Sequence, residues 1–152
     1  MLEHAPHTRG DVEPGWKDMF SVPLGMTGAQ EFVPLMMNAV NQGKLTLNQI
    51  ARKAAEQPAR TFGIYPKKGV IQVGSDADFT IIDMTREGEF RHEDMLSKSA
   101  HTSWVGMRTK GAATYGIVRG TVVMRDGKVV GSAGYGKFTH GTAARSISTQ
   151  AT

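Results

Sequence analysis

The stretch Lys67-Lys68-Gly69-Val70-Ile71-Gln72-Val73-Gly74-Ser75-Asp76-Ala77-Asp78 marks where the chain changes texture. Before it, apolar residues recur at the 3.6-residue period of helices. After it, short apolar runs alternate with glycine-containing turns. Val70, Ile71 and Val73 predict a short strand, and Gly74-Ser75-Asp76 a turn, because Gly and Asp supply the chemistry of a tight reversal. Asp76 and Asp78 would share one face of an extended chain. A calcium site needs more oxygen ligands at regular intervals, so the pair reads as turn chemistry.

Working back toward the N-terminus, two helices are expected. Phe32, Leu35, Met36, Ala39 and Val40 make one apolar face, with Pro34 in the first turn and Gly43 as the stop. Met36-Met37 reads as core packing. Thr46 and Gln49 form a capping-box pattern, and Leu47, Ile50, Ala51 and Ala54 form the expected buried stripe of the second helix, which Pro58 should end, with one further turn over Pro58 to Phe62 closed by Gly63. Residues 1–28 are punctuated by Gly10, Pro14, Gly15, Pro23, Gly25 and Gly28 and read as loop. A loop of that length is either disordered or functional.

Working forward, residues 79–84 predict a compact apolar strand and 87–91 a further one. Residues 114–119 and 121–125 read as strands around Gly120. Asp126-Gly127 is a strong two-residue hairpin signal, with 128–130 as the return strand. From 139 onward Ser, Thr, Ala, Gly and Gln predict a disordered tail. The expected organisation is a loop and helices over 1–66, a small β-rich unit over 67–138, and the tail over 139–152.

Composition narrows the class. The chain has 152 residues, too few for a complete eightfold barrel of about 250. Its 39% hydrophobic and 21% charged residues suit a folded protein. Glycine numbers 18, about one residue in eight against a usual ~7%, which favours many tight turns. Cysteine is absent, so no disulfide or thiolate metal site can form, and a cytoplasmic location is expected. No apolar run approaches the ~18 residues of a membrane span, and no membrane association is expected. The +4 net charge is scattered, without an aromatic-interleaved basic face, so nucleic acid is not an expected partner.

Two motifs carry possible chemistry. Glu3-His4-Ala5-Pro6-His7 gathers one carboxylate and two imidazoles. These are usual zinc ligands and proton carriers near neutral pH. The order is not that of H-E-x-x-H, and Pro6 blocks the helix that would align i with i+4. The segment is either a metal or catalytic element or a solvated chain end. Gly131-Ser-Ala-Gly-Tyr-Gly-Lys137 fits G-x-x-x-x-G-K, but Phe138 stands where a magnesium-binding hydroxyl belongs. It reads as a glycine-rich exit from the last strand, with Tyr135 and Phe138 packed down as anchors.

In collinear order, several segments resemble the cyclic amidohydrolases, the group of dihydroorotase, allantoinase and dihydropyrimidinase (hydantoinase). They are Glu3-His-Ala-Pro-His7-Thr8, Pro23-Leu-Gly-Met-Thr-Gly28, Pro34-Leu35, residues 48–63, Lys67 to Asp78, Val118-Arg-Gly-Thr-Val-Val-Met-Arg-Asp-Gly127 and Gly134-Tyr-Gly-Lys-Phe138. The resemblance covers about residues 3–138. It implies an α/β fold: the C-terminal fragment of a (β/α)8 metal-dependent hydrolase barrel, followed by part of a composite β-sandwich. It implies hydrolysis of a cyclic amide or ureide C–N bond at one or two divalent metals, usually zinc, which acidify bound water and polarise the carbonyl.

The resemblance aligns Glu3 with the family's metal-binding, general-base aspartate, His7 with its substrate-contacting histidine, and Leu24-Gly25 with its substrate-contacting backbone. Glutamate adds a methylene, displacing a carboxylate by about 1 Å, a shift that active-site geometry often does not tolerate. The other family ligands are a His-x-His pair, a carboxylated lysine and two more histidines. This sequence has no His-x-His, and His92, His101 and His140 do not match those positions. The expectation is therefore a partial hydrolase, inactive alone. It would form a homo-oligomer or associate with a larger amidohydrolase chain, and would act on a cyclic amide or ureide once the barrel is complete. The alternative is a non-catalytic assembly or regulatory subunit docking on a full-length amidohydrolase.

Overall fold

The structure, a computed structural model, describes residues 2–141. The chain divides into two compact units, each assembled from two separate stretches. One combines the residues up to Gln42 with Met84–Ala112. The other combines Gly43–Asp83 with the described residues from Ala113 onward. Helices and one four-stranded sheet are both present, with strand order β1-β2-β3-β4. The strands are β1 (Phe79–Glu89), β2 (Arg108–Val118), β3 (Thr121–Arg125) and β4 (Lys128–Val129). The two strands expected over 79–84 and 87–91 are one continuous strand, and β2 starts six residues before the expected 114. Gly88 and Gly111 sit inside these strands, and strand propensity underrates such positions.

In the first unit, the principal helix is α2 (Phe32–Asn41), preceded by the short α1 (Arg9–Val12) and two 3₁₀ turns, Glu13–Trp16 and Met19–Ser21. Thr8 caps α1. Its hydroxyl accepts the Asp11 N–H, and the Asp11 carboxylate in turn accepts the Thr8 N–H at 2.8 Å. The expected apolar face of α2 is only half-buried. Met37 and Asn38 lie deepest, at 4% and 7% exposure. A polar residue can face inward here because its partners are backbone groups. Asn38 Oδ1 accepts the Lys110 N–H at 3.1 Å, while Asn41 Nδ2 donates to the carbonyls of Lys110 at 2.8 Å and Met84 at 3.1 Å. These bonds tie the helix to β1 and β2. Gly111 (φ +101°) permits the approach, since a Cβ there would lie 2.6 Å from the Met37 Cβ.

The same unit holds residues 90–106 by comparable means. Phe90, a buried apolar residue, donates its N–H to Met107 O and accepts from Gly106 N. The Gln30 side chain donates to Asp94 O at 2.7 Å and accepts the Leu96 N–H at 3.0 Å.

In the second unit, a helical run comprises α3 (Leu47–Ala51), a π-helical segment (Arg52–Glu56) and α4 (Gln57–Thr61). The Thr46–Gln49 capping box forms as expected. Pro58 does not end the helix. The π segment immediately before it widens the spiral, which accommodates a ring that would otherwise press on the preceding turn. The expected buried stripe is also corrected. Leu47 is 51% exposed, Ala51 and Ala54 are exposed, and Ile50 is half-buried. Ala59 is the buried position, at 3%. Gly69 (φ +87°) passes so close that a Cβ would lie 2.6 Å from Ala59 Cβ and 2.8 Å from Ala55 O.

Residues 70–73 do not form the expected strand. Ile71 and Val73 are 81% and 102% exposed. The segment bows outward between two residues with positive φ, Gly69 and Gly74. Its ends are joined by Asp76 N–H donating to Lys67 O at 2.9 Å and Ser75 Oγ donating to Pro66 O at 2.7 Å. Strand pairing needs a partner, and apolar pattern alone supplies none.

Two two-residue turns build the hairpins. Val118 pairs with Thr121 around Arg119-Gly120 (φ +46° and +80°), and Arg125 with Lys128 around Asp126-Gly127 (φ +50° and +78°). Positive φ at both central positions is the type I′ signature. Tyr135 anchors the exit from β4: its hydroxyl donates to Val118 O at 3.2 Å, and the Arg119 guanidinium lies over its ring. Phe138 is not a buried anchor; it is 84% exposed, and its ring meets the His140 ring edge-on. No helix follows Gly131–Lys137 among the described residues, so the loop lacks the helix N-terminus of a phosphate site. Most of the tail expected to be disordered, 142–152, lies outside the described residues.

Lys68, Asp76 and Asp78 form a polar cluster of this unit. Lys68 Nζ meets Asp76 Oδ2 at 2.8 Å and also Asp78 Oδ2. Asp78 Oδ1 accepts the Arg119 N–H at 2.8 Å, and Ala77 O accepts the Gly120 N–H at 2.9 Å. Burial alone would push the Asp78 carboxyl up. The Lys68 ammonium and the Arg119 N–H outweigh it and hold the carboxyl below its usual 3.8. Burial works against the Lys68 charge too, yet the two aspartates raise it above 10.5. The lowered Asp78 value stabilises the fold above pH 3.8 and is lost as pH falls through the folded-state value. The raised Lys68 value stabilises below pH 10.5 and is lost as pH rises past its folded-state value. Urea unfolding should therefore show a stability plateau between those limits. Lys68→Met should lower the plateau by about 1–3 kcal/mol and abolish the alkaline contribution. An unchanged pH profile in Lys68→Met contradicts this.

Candidate functional site

The four residues singled out by sequence lie on two segments of the first unit, 3–7 and 24–25, and the structure joins those segments. Residues 2–7 adopt no helix or strand. Their position comes from contacts with 24–29. Ala5 N–H donates to Met26 O at 3.0 Å, and His7 N–H turns back to Ala5 O at 2.9 Å. His7 Nε2 lies 3.3 Å from Leu24 O. A carbonyl only accepts, so this nitrogen carries the proton in that bond. Gly25 (φ +135°) sits directly against Ala5; a Cβ there would collide with the Ala5 Cβ and lie 3.8 Å from His7 Nε2. His7, Leu24 and Gly25 are thus brought together. The Glu3 side chain is exposed, but its backbone is held nearby: a Cβ on Gly28 would lie 3.0 Å from Glu3 O.

Two partners in this region have roles that the sequence did not indicate. His4 Nδ1 accepts both the Gly28 N–H at 3.2 Å and the Ala29 N–H at 3.3 Å, immediately before α2. Its place beside Glu3 and His7 suggested a shared ligand set instead. Glu31 is fully buried, and its Oε1 accepts from Thr27 Oγ1 at 2.7 Å. Glu31 Oε2 has no hydrogen-bond partner among the described residues. A spacing of four between a hydroxyl and a carboxylate is too common to have marked this pair.

Among the described residues no three His, Asp or Glu side chains converge as a metal cage would require. Of the nearby donors, His4 Nδ1 is engaged by backbone N–H groups and His7 Nε2 by Leu24 O. The described donor set therefore does not by itself fit a catalytic metal. The other histidines serve locally. His92 Nδ1 accepts the Thr102 N–H, and His101 Nδ1 donates to Ser99 O. No helix of the described residues is long and apolar enough to cross a membrane.

The sequence pattern of the Amidohydrolase family matches residues 4–123. This chain belongs to the amidohydrolase family. The amidohydrolase chain is 39% identical over 137 residues to an L-hydantoinase of Paenarthrobacter aurescens, a match covering 90% of this chain and 30% of that protein. It is 40% identical over 129 residues to a dihydroorotase of Pyrococcus furiosus, covering 85% of this chain and 29% of the relative. Among solved structures, L-hydantoinase (dihydropyrimidinase) from Arthrobacter aurescens superposes with a TM-score of 0.81 at 39% identity, over 85% of this chain and 29% of the other. D-hydantoinase (dihydropyrimidinase) from Thermus sp. gives 0.84 at 29% identity, over 90% and 30%. The chain therefore spans about 30% of the length of the relatives it matches.

Two substitutions test how this amidohydrolase segment is held. Thr27→Val removes the hydroxyl bonded to a buried carboxylate and should cost about 1–3 kcal/mol in urea unfolding; an unshifted midpoint refutes that role. Gly25→Ala combines positive φ with collision at Ala5 and should cost about 1–3 kcal/mol. Amide exchange at Ala5 should accelerate with it, and unchanged Ala5 protection means the two segments are not locked at this point.

Proposed function

We propose that this chain supplies the closing barrel loop, C-terminal helices and part of the composite β-domain of a metal-dependent cyclic amidohydrolase. The barrel part covers residues 1–66 and the β-rich part 67–138. The reaction is hydrolysis of a cyclic amide or ureide C–N bond, of the hydantoinase, dihydroorotase or allantoinase kind, in the cytoplasm. The reading is carried by 39–40% identity to a hydantoinase and a dihydroorotase over most of this chain. The joined geometry of 3–7 with 24–25 supports it further.

In this reading Glu3 stands as the barrel's last metal ligand and general base, His7 contacts the substrate, and Leu24 and Gly25 present backbone to it. The group supplied elsewhere is a divalent metal, zinc by family expectation, whose chemistry is to acidify water. The donors among the described residues do not by themselves enclose such an ion. The chain alone is inactive, and a second chain or further residues complete the barrel.

A second reading is a non-catalytic subunit that docks on a larger amidohydrolase. Its support is the extent of exposed apolar side chain: Trp16 at 91%, Phe20 at 93% and Val73 at 102%. Covering such side chains with a partner would remove apolar surface from water. The chain purified alone and supplied with zinc is expected to show no hydrolysis of dihydroorotate, allantoin or hydantoin above a zinc-only blank. Hydrolysis above the blank, lost in Glu3→Ala, overturns the inactive reading. Capture of a full-length amidohydrolase from the native source, its activity equal with wild type and Glu3→Ala, favours the docking subunit.

A further inference from the structure

The geometry points to His4 as the positioning residue of this site: its neutral imidazole, accepting two backbone N–H groups through Nδ1, sets the register of Glu3 and His7 against Leu24-Gly25. The inference rests on the amidohydrolase reading for what the site does, but its structural content stands separately.

Residues 2–7 have no ladder or helix to hold them. His4 supplies a side-chain anchor at their start. The Gly28 and Ala29 N–H groups it accepts belong to the entry of α2, where Phe32 N–H donates to Gly28 O at 3.0 Å. A backbone N–H can only donate, so Nδ1 must present a lone pair and the ring proton of the neutral imidazole must sit on Nε2. Such an imidazole cannot also give Nδ1 to a metal. Glu3 precedes it by one residue, and His7 follows by three, across the Ala5 N–H to Met26 O bond. The α2 entry is itself anchored by the Thr27–Glu31 pair, Glu31 being fully buried. The position of the helix is thereby transmitted through one imidazole to the two side chains proposed to meet metal and substrate. His7 registers this, since its Nε2 proton is held on Leu24 O.

The asparagine–glutamine contrast makes the test specific. An Asn side chain places its carbonyl oxygen near the position of Nδ1, whereas Gln places its oxygen near Nε2. Nitrogen-15 spectra of the whole chain assign the tautomer of each ring. In the wild type, His4 should carry its proton on Nε2 and give an unprotonated Nδ1 signal, and His7 should be held in its Nε2–H form. His4→Ala and His4→Gln should relax His7 toward the tautomer mixture of a free imidazole and shift the Gly28 and Ala29 amide signals. His4→Asn should retain the wild-type His7 form. A His4 proton on Nδ1, a His7 tautomer indifferent to all three substitutions, or equal behaviour of His4→Asn and His4→Gln overturns the inference. Should His4→Ala unfold, the Asn–Gln pair decides alone. None of these signals depends on turnover, so their failure removes the positioning role and leaves the hydrolase reading intact. Failure of that reading would appear in the hydrolysis and capture experiments.

Discussion

Residues 2–7, where the proposed chemistry sits, have no regular structure of their own, and everything proposed for them depends on their attachment to 24–29. One backbone hydrogen bond, three hydrogen bonds made by two imidazoles and the close approach at Gly25 make that attachment. A strand in a closed barrel is held by ladders on both sides. Here the same work falls to side chains and to glycine, the residue that lets two backbones meet where any Cβ would keep them apart. The arrangement holds a histidine against a carbonyl and leaves a neighbouring glutamate exposed, which suits a segment that contributes one part of a larger constellation.

Polar contacts play a comparable part elsewhere. Asn38 and Asn41 bind α2 to strand backbone in one unit. In the other, Lys68 gathers Asp76 and Asp78, and Asp78 holds the Arg119 turn. Buried apolar side chains among the described residues are few: Met37, Ala59 and Phe90. Large apolar groups such as Trp16, Phe20, Ile71 and Leu96 face outward instead. A unit with little apolar burial relies on satisfied hydrogen bonds for its geometry, because each one left unmade costs about 1–3 kcal/mol. The relatives are about three times as long as this chain, and they share the amidohydrolase family with it.

Local chemistry was legible in the sequence. Thr46 and Gln49 cap a helix, Gly43 takes positive φ past the end of another, and Asp126-Gly127 turns a hairpin, because each outcome is decided within a few residues. Family membership was legible for a different reason: several spaced motifs recur in order, and such a series is far more specific than any one of them. Residues 70–73 were misread because a strand exists only with a neighbour to bond. Pro58 was misread because a π segment upstream can absorb its ring.

The sequence by itself therefore determined caps, turns and family, all set by short-range sterics and hydrogen bonding. Only the tertiary structure decided that Asn38 faces inward while Ala51 and Ala54 face out, that two aspartates of a turn belong to Lys68, and that His4 serves the backbone of Gly28 and Ala29. Each of these is a pairing between side chains and backbone groups on separate segments. The energy of such a pairing depends on distance and burial in the folded chain, and neither is written in the identity of the residues taken alone.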